Sequence, residues 1–129
     1  CMALRDMLHV MVVDDMSTSR GLILQALDSF GIRNVRRAID ATSARHALTQ
    51  KPAHLVISDY NMPGMDGLHL LHALRQSPNL AKIGFILITG KAERSIIETG
   101  QKLGMNNFIR KPFEPKDLLT CIEAVVGRL

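Results

Sequence analysis

The sequence has no tryptophan, one tyrosine and only two cysteines in 129 residues, and each shortage removes a class of function. A base-stacking surface for single-stranded nucleic acid needs several aromatic rings, and a chain that is 4% aromatic supplies few. Cys1 and Cys121 are too few for a disulfide framework or a cysteine-built zinc site. Cys121 falls in an apolar helical stripe, so it reads as a buried thiol, which fits a reducing, cytoplasmic setting. No apolar run approaches the roughly 20 residues that span a bilayer, and no membrane association is expected. The first residues, Cys1-Met2-Ala3-Leu4-Arg5-Asp6, lack the charged-then-apolar order of a secretory signal. Met2 is expected to be the natural start, with Cys1 an addition ahead of it.

Long runs of charge are missing as well. Sixteen Lys and Arg against 12 Asp and Glu leave a net charge of +4. These basic residues are scattered, however, and the longest adjacent pairings are Arg36-Arg37 and Arg110-Lys111. A nucleic-acid partner requires a concentrated basic face, so none is expected. The remaining composition, 47% apolar and 22% charged, is that of a soluble globular chain. With no repeat, linker or low-complexity tract, residues 1–129 are expected to form a single monomeric domain.

Apolar runs at 10–13, 55–57 and 85–88 show no two-residue alternation. Both of their faces should therefore be covered, as in central parallel strands. Weaker runs lie at 35–39 and 107–109. Amphipathic helices are predicted between them, over 17–30, 42–50, 67–76, 93–103 and 114–126, with Gly31 and Gly104 as stops and Asp66 as an N-cap. Five strand–helix repeats give an α/β fold, an open five-stranded parallel sheet with helices on both faces.

Functional groups in such sheets gather at the carboxyl ends of the strands. Here four strands stop on polar residues: Asp14-Asp15, Ser58-Asp59, Thr89-Gly90 and Arg110-Lys111-Pro112. If those strands are neighbours, three carboxylates, a hydroxyl and an ammonium share one pocket. Two unit charges about 4 Å apart repel by about 4 kcal/mol at an effective dielectric of about 20. Lys111 offsets one of the three negative charges, and a divalent cation would neutralise the rest. Few carboxylates with spare coordination positions suit Mg2+.

The segments Val12-Val13-Asp14-Asp15, Ser58-Asp59-Tyr60-Asn61-Met62-Pro63-Gly64-Met65-Asp66-Gly67, Thr89-Gly90 and Lys111-Pro112-Phe113 resemble the receiver domains of two-component response regulators. Met16-Ser17-Thr18-Ser19-Arg20 adds a likeness to the single-domain chemotaxis members. The resemblance implies a flavodoxin-like sheet of order 2-1-3-4-5 and a phosphoprotein in which Asp59 takes a phosphoryl group from a histidine kinase of the chemotaxis type. It implies Mg2+ held by Asp15, Asp59 and the backbone carbonyl of Asn61, with Asp14 reaching it directly or through water. Lys111 would pair with Asp59 and then with the phosphoryl group, aimed by a cis peptide at Pro112. Thr89 and Phe108 would form the switch. The implied output is control of flagellar rotation through the flagellar motor switch protein. The chain would then be a signalling protein, catalysing only its own phosphotransfer and dephosphorylation.

Several residues have plainer readings. Asp14-Asp15 alone could cap the helix near Ser17, Thr89 could bond a nearby backbone group, and Phe108 could be core. His69 and His72 are expected to be two exposed helix histidines, and Met62 and Met65 to shape the loop. Phe108 stands where chemotaxis members carry tyrosine, which removes a phenol from the output face. Lys91, two past Thr89, occupies a position that often tunes hydrolysis, and Ala41 replaces a common glycine. An Asp-nucleophile phosphatase would need a second Asp where Asn61 stands. An FMN site would need a phosphate loop where Asp14 and Asp15 repel phosphate. Within signalling, two outputs stay open: a motor-binding face including Lys91, Arg94, Ile97, Phe108 and Arg110, or a phosphate sink that drains a shared kinase. No DNA-binding output domain is expected.

Overall fold

The computed structural model describes residues 3–90 and 93–129, so the expectations for Cys1, Met2 and Lys91 fall outside the described residues. The apolar runs become strands β1 (His9–Val13), β2 (Asn34–Ala38), β3 (Leu55–Asp59), β4 (Gly84–Thr89) and β5 (Asn107–Arg110). All pairs are parallel, in the order β2-β1-β3-β4-β5, the order implied by the resemblance.

Alternation of side chains across the sheet explains why the central strands are apolar throughout. Met11, Val13, Val56, Phe85 and Leu87 join the core on one face; Val10, Val12, Leu55, Ile57, Ile86 and Ile88 join the core on the other. Every one of them is at most 1% exposed. Full burial of such a side chain contributes about 1.5–3 kcal/mol, so these strands anchor the sheet.

The helices are α1 (Leu4–Met7), α2 (Ser17–Ser29), α3 (Ala41–Gln50), α4 (Gly67–Gln76), α5 (Arg94–Lys102) and α6 (Pro115–Val126). Ile23, Ala26 and Leu27 of α2 and Leu118, Cys121 and Ile122 of α6 cover one face. Ala41, Ala44 and Leu48 of α3, four leucines of α4, and Ile96 of α5 cover the other. α2 stops where Gly31 takes φ 81°, a conformation that favours glycine. Asp66 caps α4, its carboxylate accepting the His69 N–H at 2.9 Å. The single turn α1 was not foreseen. It has no buried residue of its own, so no apolar stripe marks it, and it is tied down by Asn34, whose side chain donates to the Asp6 carbonyl at 2.9 Å.

Arg36 and Arg37 lie on β2, an edge strand, where charge discourages pairing with another sheet. Among the described residues no helix is long and apolar enough to cross a membrane.

A clamp the sequence did not disclose fixes the end of the sheet opposite the strands' carboxyl termini. The Arg75 guanidinium donates to the carbonyls of Ala81, Ile83 and Gly104 and to Asn106 Oδ1. Asn106 Oδ1 in turn accepts the Phe85 N–H at 2.8 Å.

Cys121 is free and buried, as expected. Its Sγ lies 3.7 Å from the Phe108 carbonyl, and burial pushes the thiol up to about 11. A thiolate is the reactive form. In a Cys1→Ser chain, therefore, Cys121 should resist alkylation at pH 8 in the folded state and react at once in denaturant. Rapid labelling of the folded protein, followed by mass spectrometry, would contradict this packing.

Candidate functional site

Parallel register puts the ends of four strands side by side. Val13 lies opposite Ser58, Asp59 opposite Ile88, and Thr89 opposite Arg110. The residues that follow or close these strands therefore emerge at one level, along the sheet's carboxyl edge.

Asp14 is fixed first. Its N–H donates to Ala38 O at 3.1 Å, its carbonyl accepts Arg20 Nη1 at 2.8 Å, and its Oδ1 accepts the Met16 N–H at 3.0 Å. Oδ2 is buried with no hydrogen-bond partner. The helix-cap reading of Asp14-Asp15 does not account for this, because α2 begins from Met16 without any side-chain cap and one buried carboxylate oxygen is left over. Buried polar atoms are almost always paired, so an orphan oxygen facing a cluster of charges calls for a cation.

Asp59 closes β3 and is 5% exposed. Ser58 is fully buried, and its hydroxyl donates to the Asp59 carbonyl at 3.0 Å. α4 starts hard against this strand end: a Cβ on Gly67 would come within 2.5 Å of the Asp59 carbonyl oxygen. Asp66-Gly67 is thus a helix start whose glycine permits the approach that holds Asp59 in place.

Lys111 arrives from the far side. Its N–H donates to Thr89 O at 2.9 Å, and the Lys111–Pro112 peptide is cis, as the resemblance implied. Its ammonium lies 3.1 Å from Asp59 Oδ1 and 3.8 Å from Asp14 Oδ2. It also donates to Ser19 Oγ at 2.9 Å, a contact not expected from the sequence. Burial raises the Asp59 carboxyl above the ordinary value of 3.8; Lys111 pulls it back, while Asp14 and Asp15 push it up further.

The carboxylates of Asp14, Asp15 and Asp59 each bring an oxygen within 4.8 Å of the others. With one ammonium present, two negative charges remain in excess. This all-oxygen donor set, with an exposed Asp15 and an unsatisfied Asp14 oxygen, fits a hard divalent cation that keeps some of its waters. Asn61 is exposed, two residues beyond Asp59. Thr89, 2% exposed, closes β4. Beside the pocket, Met16, Ser19, Leu22, Lys111, Phe113 and Pro115 help to line a largely apolar groove of about 770 Å3.

The remaining candidates sit further out. Phe108 is half-buried and packs against the core on the α3–α4–α5 face. Arg94 and Arg110 are exposed and Ile97 is half-buried; Arg94 is paired with Glu98 at 2.8 Å. His69 and His72 are exposed, with His69 Nδ1 2.9 Å from Asp66 Oδ1. Met62 is buried in the core and Met65 packs against it.

Comparison with known proteins agrees with this geometry. Residues 10–123 match the response regulator receiver domain. A protein of Rhizobium etli described as "Probable chemotaxis protein CheY" is 40% identical over 128 residues, 99% of each chain. Chemotaxis protein CheY of Pseudomonas aeruginosa is 33% identical, covering 95% of this chain and 98% of its own. The structure of chemotaxis protein CheY4 of Vibrio cholerae matches with a TM-score of 0.87 at 26% identity, covering 92% of this chain and 98% of its own.

Proposed function

The chain belongs to the response regulator receiver family, and on that premise we propose that Asp59 accepts a phosphoryl group from a kinase phosphohistidine and that the modified protein relays a chemotaxis signal. The observation that carries this reading is the buried Asp59 carboxylate, 3.1 Å from Lys111 and grouped with two further carboxylates.

Asp14, Asp15, Asp59 and the Asn61 carbonyl are the groups that would hold Mg2+, whose charge, when bound, screens an anionic nucleophile from an anionic phosphoryl group. An Asp59 oxygen attacks phosphorus; the new O–P bond forms as the P–N bond breaks, and the imidazole leaves with the electron pair. Lys111, already beside Asp59, transfers its hydrogen bond to a phosphoryl oxygen. Thr89 lies one strand away and offers its hydroxyl to a second oxygen. Its approach vacates space into which half-buried Phe108 turns, and the face formed by α5, β5 and α6 changes shape. The groove beside Lys111 gives a donor as large as a protein histidine room to approach.

The resulting reading is of a cytoplasmic receiver-domain regulator, with a histidine kinase of the chemotaxis type as donor and the flagellar motor switch protein as target. A ligand that prefers the phosphorylated form must stabilise it in return. A fluorescently labelled peptide from the N-terminal helix of the switch protein should therefore bind the phosphorylated protein more tightly, by a coupling of about 1–3 kcal/mol. Fluorescence anisotropy on both forms reads this directly. The absence of a phenol at Phe108 and the Arg94–Glu98 pair, which occupies one of the cations of that face, favour a second reading. Equal affinity for both forms, with rapid phosphotransfer to and from the kinase, would identify a phosphate sink instead.

A further inference from the structure

Several hydroxyls within or at the end of the helices bond back to their own helix. Ser29 donates to Ala26 O, Thr49 to Arg45 O, Ser77 to Ala73 O and Thr120 to Lys116 O. Ser19, in the first turn of α2, does otherwise: its Oγ accepts the Lys111 ammonium, 92 residues away, at 2.9 Å. This is the shortest contact that ammonium makes, since Asp59 Oδ1 lies at 3.1 Å and Asp14 Oδ2 at 3.8 Å.

An ammonium on a flexible four-carbon stem goes where the acceptors are best. The strongest unused acceptor nearby is the buried Oδ2 of Asp14, which has no hydrogen-bond partner. The Lys111 side chain is 28% exposed, so packing alone does not immobilise it. A move of under an ångström would convert the 3.8 Å ion pair with Asp14 into a hydrogen bond. That move would carry positive charge into the space between the carboxylates, where a divalent cation would otherwise bind.

We propose that Ser19 is a positioning residue that holds the Lys111 ammonium at the rim of the acidic pocket, on Asp59 and off Asp14, and so keeps the pocket open to a divalent cation. The inference rests on the reading of Asp14, Asp15 and Asp59 as the cation's ligands. Ser19 touches neither the cation nor the phosphoryl group in this role; it acts through Lys111.

A double-mutant cycle on Mg2+ affinity tests it, measured by calorimetry or NMR titration without any phosphodonor. Ser19→Ala should weaken Mg2+ binding about three- to tenfold, the scale of one lost hydrogen bond. Ser19→Thr, which restores a hydroxyl, should recover most of the loss. In a Lys111→Ala background the same Ser19→Ala change should alter affinity by less than about twofold, because there is no ammonium left to position. Alanine is the better helix former, so the variant should fold, as circular dichroism would verify. Unchanged affinity in Ser19→Ala overturns the inference while leaving the cation site standing, as does an equal loss with and without Lys111. Absence of Mg2+ binding by the unmodified protein would instead remove the reading beneath it.

Discussion

Asp59→Asn should abolish phosphoryl uptake. With a small phosphodonor such as acetyl phosphate and Mg2+, the unmodified protein is expected to gain one phosphoryl group, stable in acid and labile in base as an acyl phosphate is. Asparagine keeps the shape of the side chain and can still accept a hydrogen bond from the Lys111 ammonium, which lies 3.1 Å from Asp59 Oδ1. Its amide, however, carries no charge and is a poor nucleophile, so intact-mass spectrometry should find no adduct. The alternative acceptors within reach are hydroxyls. Ser58 is fully buried with its hydroxyl committed to the Asp59 carbonyl, and Thr89 is 2% exposed. An adduct mapped to either of them would overturn the mechanism.

The same substitution should raise stability when no divalent ion is present. Burial lifts the folded-state carboxyl of Asp59 above 3.8, with Asp14 and Asp15 adding to the effect against the pull of Lys111. The folded state therefore binds this proton more tightly than the unfolded chain does. Below about pH 3.8 the carboxyl is protonated in both states and costs nothing. As pH rises from there through the folded-state value, stability is lost, and at neutral pH the full penalty is present. Asp59→Asn removes that penalty. Thermal unfolding at pH 7.5 in a chelator should show a midpoint several degrees higher, since about 1 kcal/mol moves a domain of this size by roughly 3–6 °C. The gain should disappear at low pH.

Mg2+ reverses the ranking. At a hundred times its dissociation constant, a ligand that binds only the folded state stabilises it by about 2.7 kcal/mol. The unmodified protein should respond on that scale, and Asp59→Asn should respond weakly. Asp15→Asn should lose the Mg2+ response while gaining much less in chelator, because Asp15 is exposed and its charge is already solvated. A chelator-state midpoint for Asp59→Asn below that of the unmodified protein would mean that the Lys111 pair outweighs burial.

Much of the fold was legible because its causes are local. Strands buried on both faces must be apolar throughout, and 10–13, 55–57 and 85–88 are. Helix boundaries need a glycine stop or a capping side chain at the start, and Gly31 and Asp66 supply one of each. Legibility failed where no periodic burial exists. α1 is one turn with no buried residue. Arg75 reads as a surface cation, yet its guanidinium spans three carbonyls drawn from two separate loops. No pattern within α4 announces those partners.

The sequence by itself determined the parallel α/β architecture and which polar residues close or follow four of the five strands, because apolar periodicity and polar termini are properties of short segments. It determined the donor types too: three carboxylates, a hydroxyl and an ammonium. Only the tertiary structure decided how they meet. It left Asp14 Oδ2 buried without a hydrogen-bond partner and Asp15 exposed, although the two residues are adjacent and chemically identical. It also set Ser19 against Lys111 across 92 residues. Which carboxylate is desolvated, and which hydroxyl meets which cation, depends on the packing of α2 and β5 against the sheet. That packing is a long-range property that no single segment encodes.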